Sequence, residues 1–160
     1  MPRDGQAYLS RIANDGRDAR HLGEKVSDVT IHPQFKNTVA SYAQLYDFQC
    51  RPENLAHMTF ESPDSGDRVN RAWYCPRSYE ELVSRREAMV SWNELHYGFL
   101  GRSPDHVAST LAGFYMGLDT FENYDPVRAG ALADYYRYAR DNDLFLTYTI
   151  INPQGDRTRK

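Results

Sequence analysis

Arg102 stands in the run Leu100-Gly101-Arg102-Ser103-Pro104-Asp105-His106, where a glycine delivers it to a helix start signalled by Ser103-Pro104. A helix N-terminus carries partial positive charge, and an adjacent guanidinium adds a rigid fork of donors. An anion such as a phenolate or a carboxylate could sit there. An ion pair of Arg102 with Asp105 or another nearby carboxylate is the plainer reading of the same residues. A second stretch, Tyr148-Thr149-Ile150-Ile151-Asn152-Pro153-Gln154, threads a hydroxyl and an amide through an apolar run into a turn. Such a strand can line one side of a cofactor, or be a half-buried strand followed by a loop. Arg85-Arg86, on a predicted long helix, reads as a solvated face, with anion contact the lesser reading.

Other chemistry finds no support. There is no GxGxxG, P-loop, HExxH or GxSxG pattern. His21, His32, His57, His96 and His106 are scattered without metal-ligand spacing on one helix face, so no metal site is expected. Cys50 and Cys75 have neither redox nor metal spacing and read as free thiols of a cytoplasmic protein. A net charge of −3 with mixed signs argues against a nucleic-acid binder. No apolar run approaches the roughly 20 residues of a membrane span, and the charged start MPRDGQAYLSR lacks the apolar region of a secretion signal.

The elements that must position these residues are mostly helical. A chain of 160 residues, 41% hydrophobic, suffices for one core, and its 12 tyrosines suit either an aromatic core or a pocket for a flat ligand. Asp4 caps a short helix through Tyr8 and Ile12. Residues 23–32 predict no more than a turn or short strand. Pro33 opens a helix with Phe35, Val39, Tyr42 and Tyr46 on one face. A β-hairpin is predicted around the turn Pro63-Asp64-Ser65-Gly66. Ser78 and Glu81 form a capping box for the long helix through Leu82, Met89 and Trp92. Ser103-Pro104 begins a helix carrying Val107, Leu111, Phe114 and Leu118, and Asp125-Pro126 begins another through Leu132, Tyr135, Tyr136 and Ala139. Residues 144–151 predict an apolar strand near the C-terminus, which must pair with the hairpin, another chain or further sequence.

The chain resembles the N-terminal part of the oxygenase component of the 4-hydroxyphenylacetate 3-monooxygenase family, the two-component flavin-dependent aromatic hydroxylases of aromatic catabolism. The resemblance rests on Gly23-Glu24-Lys25-Val26-Ser27-Asp28-Val29-Thr30 with His32-Pro33, on Ala43-Gln44-Leu45-Tyr46-Asp47, on Gly98-Phe99 followed by the Arg102 segment through Asp105, and on Ile151-Asn152-Pro153 with Asp156-Arg157. It implies a mainly α fold: an acyl-CoA dehydrogenase-like N-terminal helical domain over 1–143, with a small β-hairpin, then the first strand of a middle β-barrel domain over 144–160. The family's chains are considerably longer, so the 160-residue chain is expected to be incomplete and inactive alone.

The resemblance also implies ortho-hydroxylation of a phenol such as 4-hydroxyphenylacetate, with O2 and reduced FAD from a separate flavin reductase, in a cytoplasmic homo-tetramer. Arg102 matches the family's substrate-pocket arginine. His106 stands where the family has a tyrosine and Tyr148 where it has a histidine, so imidazole and phenol exchange sides. Arg102, His106 and Tyr148 are thereby expected to be catalytic, with Ser103, Pro104 and Asp105 beside the substrate. Tyr148, Thr149, Ile150, Gln154, Gly155, Asp156 and Arg157 match the flavin-contacting strand and loop. Two other readings share these features: a non-catalytic binding or assembly remnant of that family, and an acyl-CoA dehydrogenase-like desaturase.

Overall fold

The computed structural model of the protein describes residues 2–13 and 15–148. In chain order, the elements are α1 (Gly5–Ala13), a hairpin of β1 (Ala19–His21) and β2 (Glu24–Val26), α2 (Lys36–Cys50) and α3 (Pro52–Met58). A second hairpin, β3 (Thr59–Glu61) with β4 (Arg68–Asn70), leads through a 3-10 turn (Arg71–Trp73) into α4 (Tyr79–His96). Helices α5 (Asp105–Met116), α6 (Leu118–Glu122) and α7 (Pro126–Asp141) follow. Both hairpins are antiparallel, with Arg20 opposite Lys25 and Phe60 opposite Val69. No helix among the described residues is long and apolar enough to cross a membrane.

Side-chain caps set three of the helix starts. Asp4 Oδ1 accepts the Ala7 N–H at 2.7 Å, Ser78 Oγ accepts that of Glu81 at 3.2 Å, and Asp125 Oδ1 accepts those of Val127 and Arg128. The core is built where helices meet. Tyr8 of α1 lies with Val39, Ala43 and Tyr46 of α2; Leu45, Met58, Ala88 and Trp92 join α2, α3 and α4; Trp73, Ala108, Ala112, Tyr136 and Ala139 join the 3-10 turn to α5 and α7. Gly5 makes the α1–α2 approach possible: a Cβ there would lie 2.6 Å from the Ala43 carbonyl oxygen.

A buried polar knot ties the N-terminus to the end of α7. The Asp143 carboxylate accepts from Gln49 Nε2 at 2.9 Å and from Trp73 Nε1 at 3.3 Å, while its main-chain oxygen accepts from Arg3 Nη1 at 3.1 Å. Gln49 also donates to the Arg3 carbonyl, and Asn70 Nδ2 donates to Gln49 Oε1.

Several sequence expectations are corrected. Pro33 does not begin α2. The N–H groups of Phe35 and Lys36 both bond to the His32 carbonyl in a tight turn, and the helix starts at Lys36. Residues 23–32 do hold a short strand, Glu24–Val26, which pairs with Ala19–His21 ahead of it. Leu118 does not continue the α5 face, because that helix ends at Gly117 and Leu118 opens α6. Arg85 is not solvated: it donates to the Ala72 carbonyl and to Ser109 Oγ, both at 2.8 Å, in the seam where α4 meets the 3-10 turn and α5. Arg86 is exposed. The predicted strand over 144–151 has no ladder partner over its described part, residues 144–148. Side chains hold that part instead: Leu144 and Leu146 pack on the Trp73–Tyr136 cluster, whereas Phe145 packs on the Tyr8–Tyr46 cluster. The alternation of a strand is kept without its hydrogen bonds.

Candidate functional site

The site forms where the start of α5 meets the segment returning from α7. Ser103 and Pro104 are buried at the helix entry, and the Ser103 carbonyl accepts the His106 N–H at 3.1 Å. Pro104 already has helical angles, φ −57° and ψ −27°, so the expected Ser103 side-chain cap is absent and the helix closes through the main chain. This tight entry puts Arg102 and His106 at the same helix end. The Leu144 and Leu146 insertions lead residue 148 to that end.

Tyr148 meets both. Arg102 Nη1 donates to the Tyr148 carbonyl at 3.1 Å, and the guanidinium carbon lies 4.7 Å from the Tyr148 ring centroid. His106 Nε2 is 3.0 Å from the Tyr148 hydroxyl, and the two rings stack at 5.3 Å with 22° between planes. Tyr148 thus touches both of the other residues singled out for catalysis. A fourth, Tyr42, donates from its hydroxyl to the Arg102 carbonyl at 3.0 Å and packs against Phe145 at 4.6 Å. Its place on the α2 face was legible in the sequence, but no spacing signal linked it to Arg102.

Arg102 has no carboxylate partner among the described residues, which removes the pairing with Asp105. The Asp105 side chain points inward, where its Oδ1 is buried without a hydrogen-bond partner. The nearby Arg85 feels that carboxyl, although burial is the larger influence and pushes its pKa down. Ser103, Pro104 and Asp105 therefore build the helix entry, while Arg102, His106 and Tyr148 offer polar groups to solvent.

A guanidinium and an imidazole arranged around a phenol are chemically suited to phenols. The cation favours the oxyanion, and the imidazole can donate to or accept from the hydroxyl. In this structure the ring between them is that of Tyr148, 39% exposed, with Arg102 over its face and only His106 at its hydroxyl. A separate cleft of about 390 Å³ lies along residues 144–147, lined by Arg3, Tyr8, Arg11, Arg17 and Phe145 among others; Arg102, His106 and Tyr148 do not line it. Of the residues expected at the flavin, Thr149, Ile150, Gln154, Gly155, Asp156 and Arg157 lie outside the described residues.

Comparison with known proteins places the chain. Residues 4–160 match the family described as 4-hydroxyphenylacetate 3-hydroxylase N terminal. The chain is 38% identical to the 4-hydroxyphenylacetate 3-monooxygenase oxygenase component of Geobacillus sp., over 99% of its own length and 32% of the relative's. It is 36% identical to the 4-nitrophenol 2-monooxygenase oxygenase component of Rhodococcus sp., over 99% and 30%. It therefore spans about a third of the length of these curated relatives. The crystal structure of an oxygenase component (HpaB) with FAD and 4-hydroxyphenylacetate superimposes with a TM-score of 0.87 at 33% identity, covering 99% of this chain and 32% of that one. A 4-hydroxybutyryl-CoA dehydratase from N. maritimus, 18% identical with a TM-score of 0.78 over 99% of this chain and 31% of that one, shares the fold. On the near-complete family match and these identities, the chain belongs to the 4-hydroxyphenylacetate 3-hydroxylase N-terminal family.

Proposed function

We propose that this chain is the N-terminal part of a flavin-dependent monooxygenase that hydroxylates a phenol ortho to its hydroxyl, with O2 and reduced FAD from a separate reductase. The observation that carries this reading is the contact of Tyr148 with Arg102 and His106 at one helix end. On this reading residues 1–143 are the helical domain, residues 144–160 open a middle β-domain, and the complete enzyme is a homo-tetramer.

Arg102 holds the substrate as phenolate, since an adjacent cation lowers a phenol's pKa by about 1–3 units when desolvated. His106 takes or shares the phenol proton. Tyr148 orients that imidazole through its hydroxyl and presents an exposed ring for a flat ligand to lie against. This ring, and main-chain groups of residues 145–147 without hydrogen-bond partners among the described residues, fit a flavin edge. Tyr148 with Thr149, Ile150, Gln154, Gly155, Asp156 and Arg157 would hold the FAD. Reduced FAD with O2 supplies one oxygen atom to the ring, the other leaving as water.

The test is NADH-driven conversion of a panel of phenols by the chain in its full-length context with a flavin reductase. Formation of the catechol supports the reading. Hydrogen peroxide as the only product across the panel overturns it.

A further inference from the structure

We infer that Asp143 is a positioning residue for Tyr148: its buried carboxylate fixes the turn from which residues 144–148 leave, so the charge on that carboxylate decides whether Tyr148 rests against Arg102 and His106. The inference rests on reading those three residues as a phenol site.

Asp143 follows the last turn of α7 with φ +43°, in the left-handed region that glycine and asparagine occupy with least strain. A helix stop needs no buried carboxylate, yet this one is 5% exposed as a residue and faces donors from two elements, Gln49 of α2 and Trp73 of the 3-10 turn. Arg3 clamps its carbonyl from a third. The Asp143 N–H bonds to the Arg140 carbonyl and the Leu144 N–H to that of Ala139, so the turn is held at both main-chain and side-chain level. Beyond it, the main chain of residues 145–147 has no hydrogen-bond partner among the described residues. The direction in which the segment leaves therefore depends on this turn and on three inserted side chains.

An ionised carboxylate accepts from Gln49 and Trp73 together. Protonation turns one of its lone-pair sites into an O–H donor, which makes the oxygen that carries it a weaker acceptor for Gln49 or Trp73 and adds a donor that needs its own partner. Burial is the larger influence on this group and pushes its pKa up to about 6, against the donors around it. Among the described residues, the ionisable groups around it are Arg3 and Asp4 on the N-terminal lead, Arg11 on α1, Tyr46 and Cys50 on α2, Asp67 just before β4, Arg68 on β4 and Asp141 on α7. No histidine is among them. Burial pushes Tyr46 and Cys50 up and keeps both neutral, which leaves Arg3 as the nearest compensating charge.

The two tryptophans make the test internal. Trp73 Nε1 donates to Asp143, whereas Trp92 Nε1 donates to the Leu45 carbonyl, which cannot titrate. Indole N–H resonances of the 160-residue chain are followed by NMR from pH 5 to 7.5, together with the ring-to-ring Overhauser contact between His106 and Tyr148. Trp73 should shift with a midpoint near pH 6 while Trp92 stays fixed. In D143N the Trp73 shift should vanish and the ring contact should be weaker than wild type even at pH 7.5, where an ordinary imidazole is neutral. A Trp73 signal that is flat across this range overturns the inference using the wild-type chain alone, whether or not D143N folds. A ring contact of wild-type strength in folded D143N at pH 7.5 overturns it while leaving the phenol site intact. Absence of that contact in the wild type overturns both.

Discussion

Replacing Asp143 by asparagine should remove a specific slope from the pH dependence of folding. A carboxyl raised in the native state from its ordinary 3.8 to about 6 binds a proton that the unfolded chain has already released between those values. Stability from this group is therefore greatest below about pH 4, declines as pH rises to 6, and is level above. Each unit is worth about 1.4 kcal/mol, so a shift of about two units makes the decline about 3 kcal/mol. Carboxylates with lowered values, such as Asp141, which bonds to Arg140 and Ser62, contribute slopes of opposite sign at the acid end. The informative quantity is accordingly the difference between D143N and wild type. Urea unfolding at half-unit steps from pH 4 to 7.5, followed by tryptophan fluorescence, should show D143N gaining about 3 kcal/mol relative to wild type as pH rises. A difference that stays constant to within about 0.5 kcal/mol, the usual additivity error, would refute the claim that this carboxyl is destabilised by burial.

Three further outcomes are expected. In the full-length context, His106→Phe should lower hydroxylation and divert turnover to peroxide, whereas Tyr148→Phe should mainly weaken phenol binding; equal product and coupling in His106→Phe would remove its proposed role. Gly5→Ala should destabilise the chain by about 1–3 kcal/mol in thermal or urea unfolding, because its Cβ meets the Ala43 carbonyl, while Gly130→Ala, with nothing within 4 Å, should not destabilise it. Burial pushes the Cys50 thiol up to about 11, so at pH 8 its alkylation should be about a hundred-fold slower than that of an ordinary exposed cysteine, as mass spectrometry of iodoacetamide-treated protein can measure.

What could be read without a structure was the chemistry that acts over one helical turn. Asp4, Ser78 and Asp125 start their helices because an oxygen acceptor three residues ahead of an N–H is a local arrangement. The Pro63–Gly66 turn joins β3 to β4 for the same reason. Arg102 as an anion site was one of two open readings from its spacing. Its grouping with His106 and Tyr148 came through the family resemblance, since a contact across 42 positions leaves no periodic trace. Asp143 shows the limit most clearly. In sequence it is one polar residue in a helix stop, Asp141-Asn142-Asp143, and only the packing of α2, the 3-10 turn and the N-terminal lead around it converts it into a buried acceptor. Tyr42 and Arg85 were missed in the same way, their partners lying 60 and 13 positions away.

The same 42-position gap has a consequence during synthesis. A ribosome adding about 5–20 residues per second needs roughly 2–8 s to pass from residue 106 to residue 148. Over that interval α5 is completed, with Arg102 just ahead of it and His106 in its first turn, and no third residue is there to close the group. Ala108 and Ala112, which will pack on Tyr136 and Ala139, remain uncovered until α7 has emerged as well. The nascent chain thus passes through a stage in which its apolar seam and the Arg102–His106 end are open together. Translation speed across residues 106–148 therefore sets how long a chaperone can reach that seam before α7 covers it.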